Sequence, residues 1–599
     1  MRLRNRIPCL LAAGPLVAAI AAPVMASEPR PDFGRTVPGS TPVAITITLR
    51  SPAESQLRSY ATAVSDPGTT DYRKFLTDAQ LRQRFGASRA TVAQVAEWAR
   101  AEGFRVGPLD ATGSRLPLTA SAATVQRAFG VTIYDSAEEG VRAHTSTAVR
   151  LPPRIAADVT AISGLNQQAA LAMHVRPTTA ATNQGGSCLL SPAQVGVAAV
   201  QSGLGARVSM PSCGYTGPQL RAMYGLSPAD DGAGQTIVIV GAFNQTSTFS
   251  DANAAFARTK VPPLAPGQYQ VKTYPAQGAP AAGCDTASWG LEQALDVQTV
   301  HTLAPAARIV YAAAPDCTQL TDVLAHVISD PVLRGGVVSN SWGYPAEALS
   351  NDEVTATDAI LARAAVLGTG TYTASGLYGS AVATGMLLPD RSYPASSPWT
   401  TAVGGTTAAI SANQTLLWQT GWASTATTLS GKPVIDVTGT PVIAAAGGGA
   451  SIREPRPVWQ PAGRGGYRQV PDLAALADPE TGLLVGTTSA GQYSIGGVGG
   501  TSLATPIVAS LAALAQARAG HPAGLLGPRL WHTDDAGGVT LTDIRHVDAA
   551  FWTPRLPGAP TDPDGYLVRA DSAASASRPG WDPVTGLGAP GRTFLADVG

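Results

Sequence analysis

The sequence predicts an α/β domain built on a parallel sheet, preceded by a smaller α+β unit. From Gln235 onward, unbroken apolar runs at Thr236–Val240, Arg308–Ala312 and Val337–Ser339 alternate with helical stretches at Ala287–Leu303 and Thr321–Ile328. Strands without polar alternation are buried on both faces, which is the pattern of a parallel sheet covered by crossover helices. A chain of 599 residues is also too long for a single core. In such sheets the chemistry gathers at the carboxyl ends of the strands.

The smaller unit precedes Leu165. Val43–Leu49 alternates like a strand, and Ala53–Val64, Asp78–Phe85 and Ala90–Glu102 read as helices. Strand signals recur at Phe104–Val106, Leu116–Leu118 and Val131–Ile133, with a helix at Ala122–Phe129 between the last two. No nucleophile, base or metal-ligand cluster falls in this stretch. Thr178 to Ser187 is then polar and without periodicity, as expected of an exposed linker open to proteolysis.

Lys and Arg total 41, as do Asp and Glu, and no basic stripe is present, so nucleic acid is not an expected partner. Arg2, Arg4 and Arg6, the apolar run Pro8 to Ala22 and the small residues up to Ala26 have the plan of a signal peptide. The expectation is a secreted chain with no membrane attachment after signal removal. Cys9 leaves with the signal, and Cys188, Cys213, Cys284 and Cys317 remain for an oxidising compartment. Local loop closure favours the pairs Cys188–Cys213 and Cys284–Cys317.

Two constellations carry the chemistry. Gly496 to Gly500 gives a tight turn, followed by Thr501, Ser502 and a run of strong helix formers, with Pro506 expected in the first turn. A serine there faces unpaired N–H groups and the positive end of the helix dipole, where charge on a bound carbonyl is stabilised. In Ala287–Leu303, Glu292 and Asp296 lie four apart on one face of an otherwise apolar helix. Such buried acids are either bonded to backbone and water or functional. A serine nucleophile needs a base, and none of the seven histidines has the context of one. A carboxylate with a raised pKa does the same work in acid.

Gly499-Gly500-Thr501-Ser502-Leu503-Ala504-Thr505-Pro506 with Glu292 and Asp296 resembles the sedolisin (kumamolisin-like) family of serine-carboxyl peptidases. Residues 43–167 are similar to that family's pro-domain, including Asp71 to Thr77, Trp98 and Phe129. Ser339-Asn340-Ser341-Trp342-Gly343, Tyr393 to Pro398, Val403 to Thr406 and Val470-Pro471-Asp472 also match. The resemblance implies a subtilisin-like parallel sheet flanked by helices and a ferredoxin-like pro-domain. It implies a signal at 1–26, a pro-domain at 43–167, a processing linker at 168–212 and a peptidase domain at 213–599. The implied activity is endoproteolysis of peptide or protein substrates in acid, by an enzyme made as a proenzyme and silenced by its own pro-domain. Ser502 would be the nucleophile, Glu292 the general base and Asp296 the acid supporting it, with Trp342 extending the network. One structural Ca²⁺ would take the carboxylates of Asp543 and Asp582 and the carbonyls of Ile544, Arg578 and Gly580.

Two positions depart from the family pattern. Leu377 stands in Ser375-Gly376-Leu377-Tyr378-Gly379 where an oxyanion-stabilising aspartic acid is expected, and Gly241 replaces a glutamate linked to the catalytic network. Removing one oxyanion donor typically costs a factor of ~10²–10³ in rate. Ser375 and Tyr378 are the nearby substitutes. Leu377 motivates a second reading, a weak or inactive pseudopeptidase that binds peptide or a protein partner. A subtilisin-type Asp/His/Ser enzyme would need a histidine in a Gly-Thr-His-like context, and the chain has none.

Overall fold

The computed structural model describes residues 34–599 apart from 136–140, 146, 175–194, 198–207, 211–213, 276–283, 335, 381–391, 411–413, 429–442, 462–464, 533–537, 548–549, 554–565 and 570–576. The expected signal segment and Cys188–Cys213 pair lie outside the described residues.

The larger unit is organised on parallel strands in the spatial order Leu473–Leu476, Thr401–Ile410, Gly370–Ala374, Val337–Asn340, Thr236–Ala242, Arg308–Ala314 and Tyr269–Thr273. Both faces are buried, as the unbroken apolar runs require. In Thr236–Ala242, Ile237 and Ile239 enter one core with residues of helices Thr286–Leu303 and Thr501–Ala519. Val238, Val240 and Ala242 enter a second core with residues of helices Leu320–Ser329 and Asn351–Val366. Helix Thr286–Leu303 starts one residue before the expected Ala287, because the Asp285 side chain caps it through the Ala287 N–H at 3.0 Å. Cys284, just before it, is disulfide-bonded to Cys317.

Pro506 is not in the first turn of Thr501–Ala519 but inside the helix. A proline there removes the N–H that would reach the carbonyl four residues back, which is that of Ser502. The freed Ser502 oxygen accepts the Ser341 hydroxyl at 3.3 Å instead.

The smaller unit is an antiparallel sheet in the order Arg105–Val106, Arg115–Ser121, Pro42–Leu49 and Val159–Ser163. Helices Arg89–Glu102 and Ala122–Phe129 contribute to its core, where Trp98 and Phe104 each contact Phe129, with centroids at 5.8 and 5.7 Å. It docks on the larger unit around helix Asn351–Val366. Asp352, near that helix's N-terminus, accepts the Ile162 N–H at 3.1 Å, and the Leu76 N–H bonds the Val366 carbonyl at 2.8 Å. Arg115–Asp322, Arg334–Asp78 and Arg363–Glu54 add ion pairs across the same contact.

Candidate active site

Ser502, Glu292 and Asp296, remote in sequence, come together at the carboxyl end of strand Val337–Asn340. Ser502 is fully buried in the first turn of helix Thr501–Ala519, after Gly500 at φ 101°. A Cβ on Gly500 would overlap the carbonyl oxygen of Met173, so this glycine admits the Met173 segment against the turn of Ser502. Glu292 and Asp296 sit on the buried face of helix Thr286–Leu303. Ser341 joins the two helices: its hydroxyl donates to Asp296 Oδ1 at 2.7 Å and approaches the Ser502 carbonyl at 3.3 Å. The Ser502 hydroxyl in turn donates to the Ser341 carbonyl at 3.3 Å.

Electrostatics divide the two acids. Burial, then the Glu292 charge, pushes the Asp296 carboxyl well above the usual carboxylate range, against a smaller opposing pull from the Ser341 hydroxyl. Glu292 uses Oε2 on His174 Nδ1 at 2.6 Å, while its Oε1 is buried with no hydrogen-bond partner among the described residues. In this conformation Ser502 is thus not bonded to Glu292, which His174 contacts instead.

The chain leaving the smaller unit runs through this site. Its strand Leu171–Ala172 pairs antiparallel with Trp342–Gly343, the Ala170 N–H bonds the Cys317 carbonyl at 2.9 Å, and the Met173 N–H bonds the Ser341 carbonyl at 3.2 Å. The Met173 carbonyl accepts the N–H of Ser502 at 2.9 Å. An extended segment zipped to an exposed edge is the way a peptidase cleft receives a peptide.

The two departures have structural counterparts. Leu377 packs its partly buried side chain against the main core. Ser375 donates its hydroxyl to the Gly447 carbonyl at 2.7 Å, so it is not a free replacement donor. The Tyr378 side chain lies outside the described residues. At Gly241 the space beyond the Cα holds the Tyr311 hydroxyl, which donates to the Ala242 carbonyl at 3.0 Å. Burial holds this phenol well above its usual value, so it stays protonated. Trp342 is fully buried and its indole N–H has no hydrogen-bond partner among the described residues, so no network extends through it there.

Comparison with known proteins places this arrangement. The Pro-kumamolisin activation domain profile matches residues 32–168, and the subtilase family profile matches residues 281–534. Kumamolisin of Bacillus sp. (strain MN-32) is 26% identical over 574 residues, covering 92% of this chain and 91% of the relative. Sedolisin of Pseudomonas sp. (strain 101) is 28% identical over 573 residues, covering 91% and 85%. The chain is similar to sedolisin-family peptidases with a pro-domain. It joins an activation domain to a serine-type peptidase domain, and the parallel sheet described above is that subtilisin-like fold. Tripeptidyl-peptidase 1 of Bos taurus is a further relative, 24% identical over 583 residues. The solved Pseudomonas sedolisin complexed with two molecules of pseudo-iodotyrostatin is 24% identical, covers 63% of this chain and 95% of that one, and has a TM-score of 0.48.

Sequence reasoning missed two members of this site. Ser341 was visible as a hydroxyl just past a parallel strand, where such sheets place their chemistry. His174 gave no signal, because only the path of the chain through the cleft brings it to Glu292.

At the C-terminal end, the Gly580 N–H bonds Asp543 Oδ1 at 3.1 Å and so brings the two aspartate loops together. Asp582 Oδ1 accepts the N–H groups of Val584 and Thr585, and its Oδ2 accepts the Thr585 hydroxyl and the Arg578 N–H. Among the described residues no group of three His, Cys, Asp or Glu side chains is placed to hold a metal. A cation here would rest on the two carboxylates and main-chain carbonyls, an oxygen-only set whose chemistry fits Ca²⁺.

Proposed function

We propose that this protein is a secreted serine-carboxyl endopeptidase, made as a proenzyme and active in acid, with Ser502 as nucleophile, Glu292 as general base and Asp296 as the acid supporting it. The observation that carries the reading is Ser341, whose one hydroxyl ties Asp296 to the turn of Ser502. Ser502 Oγ attacks a peptide carbonyl while Glu292 takes its proton. The Ser502 N–H, pointing from the helix N-terminus, steadies the oxygen on which charge develops. Glu292 then returns the proton to the leaving amine, and water releases the acyl group by the same path in reverse. Asp296, whose carboxyl burial pushes upward, supports Glu292 from one helical turn along the same buried helix. A bound Ca²⁺ would be held by Asp543, Asp582 and the carbonyls of Ile544, Arg578 and Gly580, and would fix the C-terminal loops.

The test is hydrolysis of a peptide library at acidic pH by the processed wild type and by Ser502→Ala protein freed of its pro-domain by added protease. Loss of cleavage in the variant is expected; equal activity would overturn the assignment. The Leu377 side chain, partly buried against the core and with nothing to donate, favours the alternative of a binding protein that does not cut. A processed wild type that binds peptides without hydrolysing them in acid would establish that alternative. The Ca²⁺ assignment predicts that chelation lowers the melting temperature of the wild type and not of Asp543→Asn.

A further inference from the structure

We propose that the disulfide-held turn at Cys317 selects substrates: it binds the residue four places before the scissile bond by its backbone and admits only a small side chain there. The inference rests on the assignment of Ser502 above and adds the class of peptide that the site takes. The Met173 carbonyl accepts the Ser502 N–H at 2.9 Å, which sets the register. Residues 170–173 thus lie in the cleft as the acyl side of a bound peptide would. Met173 holds the first place, Ala172 the second, Leu171 the third and Ala170 the fourth.

These places differ in what surrounds them. Leu171 is 40% exposed, whereas Ala170 is 3% exposed. An extended chain sends successive side chains to opposite sides, so the third place faces water and the fourth faces the protein. Ala170 belongs to one apolar cluster with Cys317, Trp289 and Tyr344 of the peptidase unit. Its N–H donates to the Cys317 carbonyl at 2.9 Å. Cys317 is fully buried, its sulfur is bonded to Cys284, and its N–H donates to Cys284 Sγ at 3.1 Å. Beside it, Asp316 Oδ1 accepts the Thr318 N–H at 2.9 Å and the Thr318 hydroxyl at 2.7 Å, which closes the turn. A wall pinned at so many points does not retreat from a larger side chain, and forcing extra atoms against it is unfavourable. Cys284 also lies just ahead of the helix that carries Glu292, so one covalent bond sets the far end of the peptide in register with the base. The favoured substrates are therefore extended peptides with alanine, glycine or serine in the fourth place and a free choice in the third.

The experiment is steady-state hydrolysis in acid, by the processed enzyme, of peptides that differ only in the third or the fourth place. Replacing alanine by phenylalanine in the fourth place should lower kcat/KM by about tenfold or more, chiefly through KM, whereas the same bulk in the third place should change it by less than about twofold. Cys284→Ser, which unpins the turn without altering the Cys317 carbonyl, should shrink the fourth-place discrimination. Equal kcat/KM for alanine and phenylalanine in the fourth place, in an enzyme that cleaves the series, would overturn this proposal and leave the proposed function standing. No hydrolysis of any member would overturn both. The wild-type comparison decides the matter even where the variant does not fold.

Discussion

Ser341 has one hydroxyl and two acceptors, Asp296 Oδ1 at 2.7 Å and the Ser502 carbonyl at 3.3 Å. Its hydrogen bond is the one influence that lowers the Asp296 pKa against burial and the Glu292 charge. Ser341→Ala should therefore move Asp296 further upward, seen as an upward shift of the apparent pKa in the kcat/KM profile of the processed enzyme. The lost bond should also cost about 1 kcal/mol of stability in thermal melts. Leu377 makes the opposite prediction. A side chain that donates nothing has no oxyanion contact to lose, so Leu377→Ala should leave kcat within about twofold, against the factor of ~10²–10³ for deleting a true donor. Steady-state kinetics on one peptide substrate separates the two.

Helix Thr501–Ala519 places its serine by a local irregularity. Pro506 withholds the N–H that would otherwise claim the Ser502 carbonyl, and Ser341 takes that carbonyl. Pro506→Ala restores the helical bond, so the melting temperature should rise while kcat falls, as the restored N–H competes with Ser341. The bond between Cys284 and Cys317 closes a loop with a sequence separation of 33 just ahead of the acid-bearing helix, and in the chain-entropy account its removal costs about 4 kcal/mol. Cys317→Ser should lower the melting temperature accordingly. The helices and buried strands were legible from periodicity, and Asp78–Phe85 and Ala122–Phe129 fall where their patterns end. The acid pair was legible too, because two carboxylates on an apolar helix demand a reason. Pro506's turn was not, since helix starts are fixed by cap geometry that glycine-rich sequence leaves open. His174 lay beyond any local pattern, because its role depends on where the chain goes next in space.

Several acids away from Ser502 are also shifted upward by burial: Glu454 and Glu480 to about 8, Glu353 to about 7 and Asp478 to about 6. Each binds its proton more tightly in the folded chain than in the unfolded one. Between the two pKa values the native state holds more protons, so stability is fully present in acid and is lost as pH rises through the folded values. The unfolding free energy of the precursor should therefore fall between about pH 5 and pH 8, by an amount on the order of a few kcal/mol, and its melting temperature should fall with it. Glu454→Gln should flatten the upper part of that curve, which differential scanning calorimetry would read. The segment Leu171–Ala172 on the Trp342–Gly343 edge has its own consequence for how the molecule switches on. A covalently tethered strand competes for that edge at an effective concentration in the millimolar range. Micromolar outside peptides lose that competition while the tether is whole. Severing it turns a local competitor into a dilute one, so proteolysis should begin after a lag and then accelerate, not grow in proportion to added substrate.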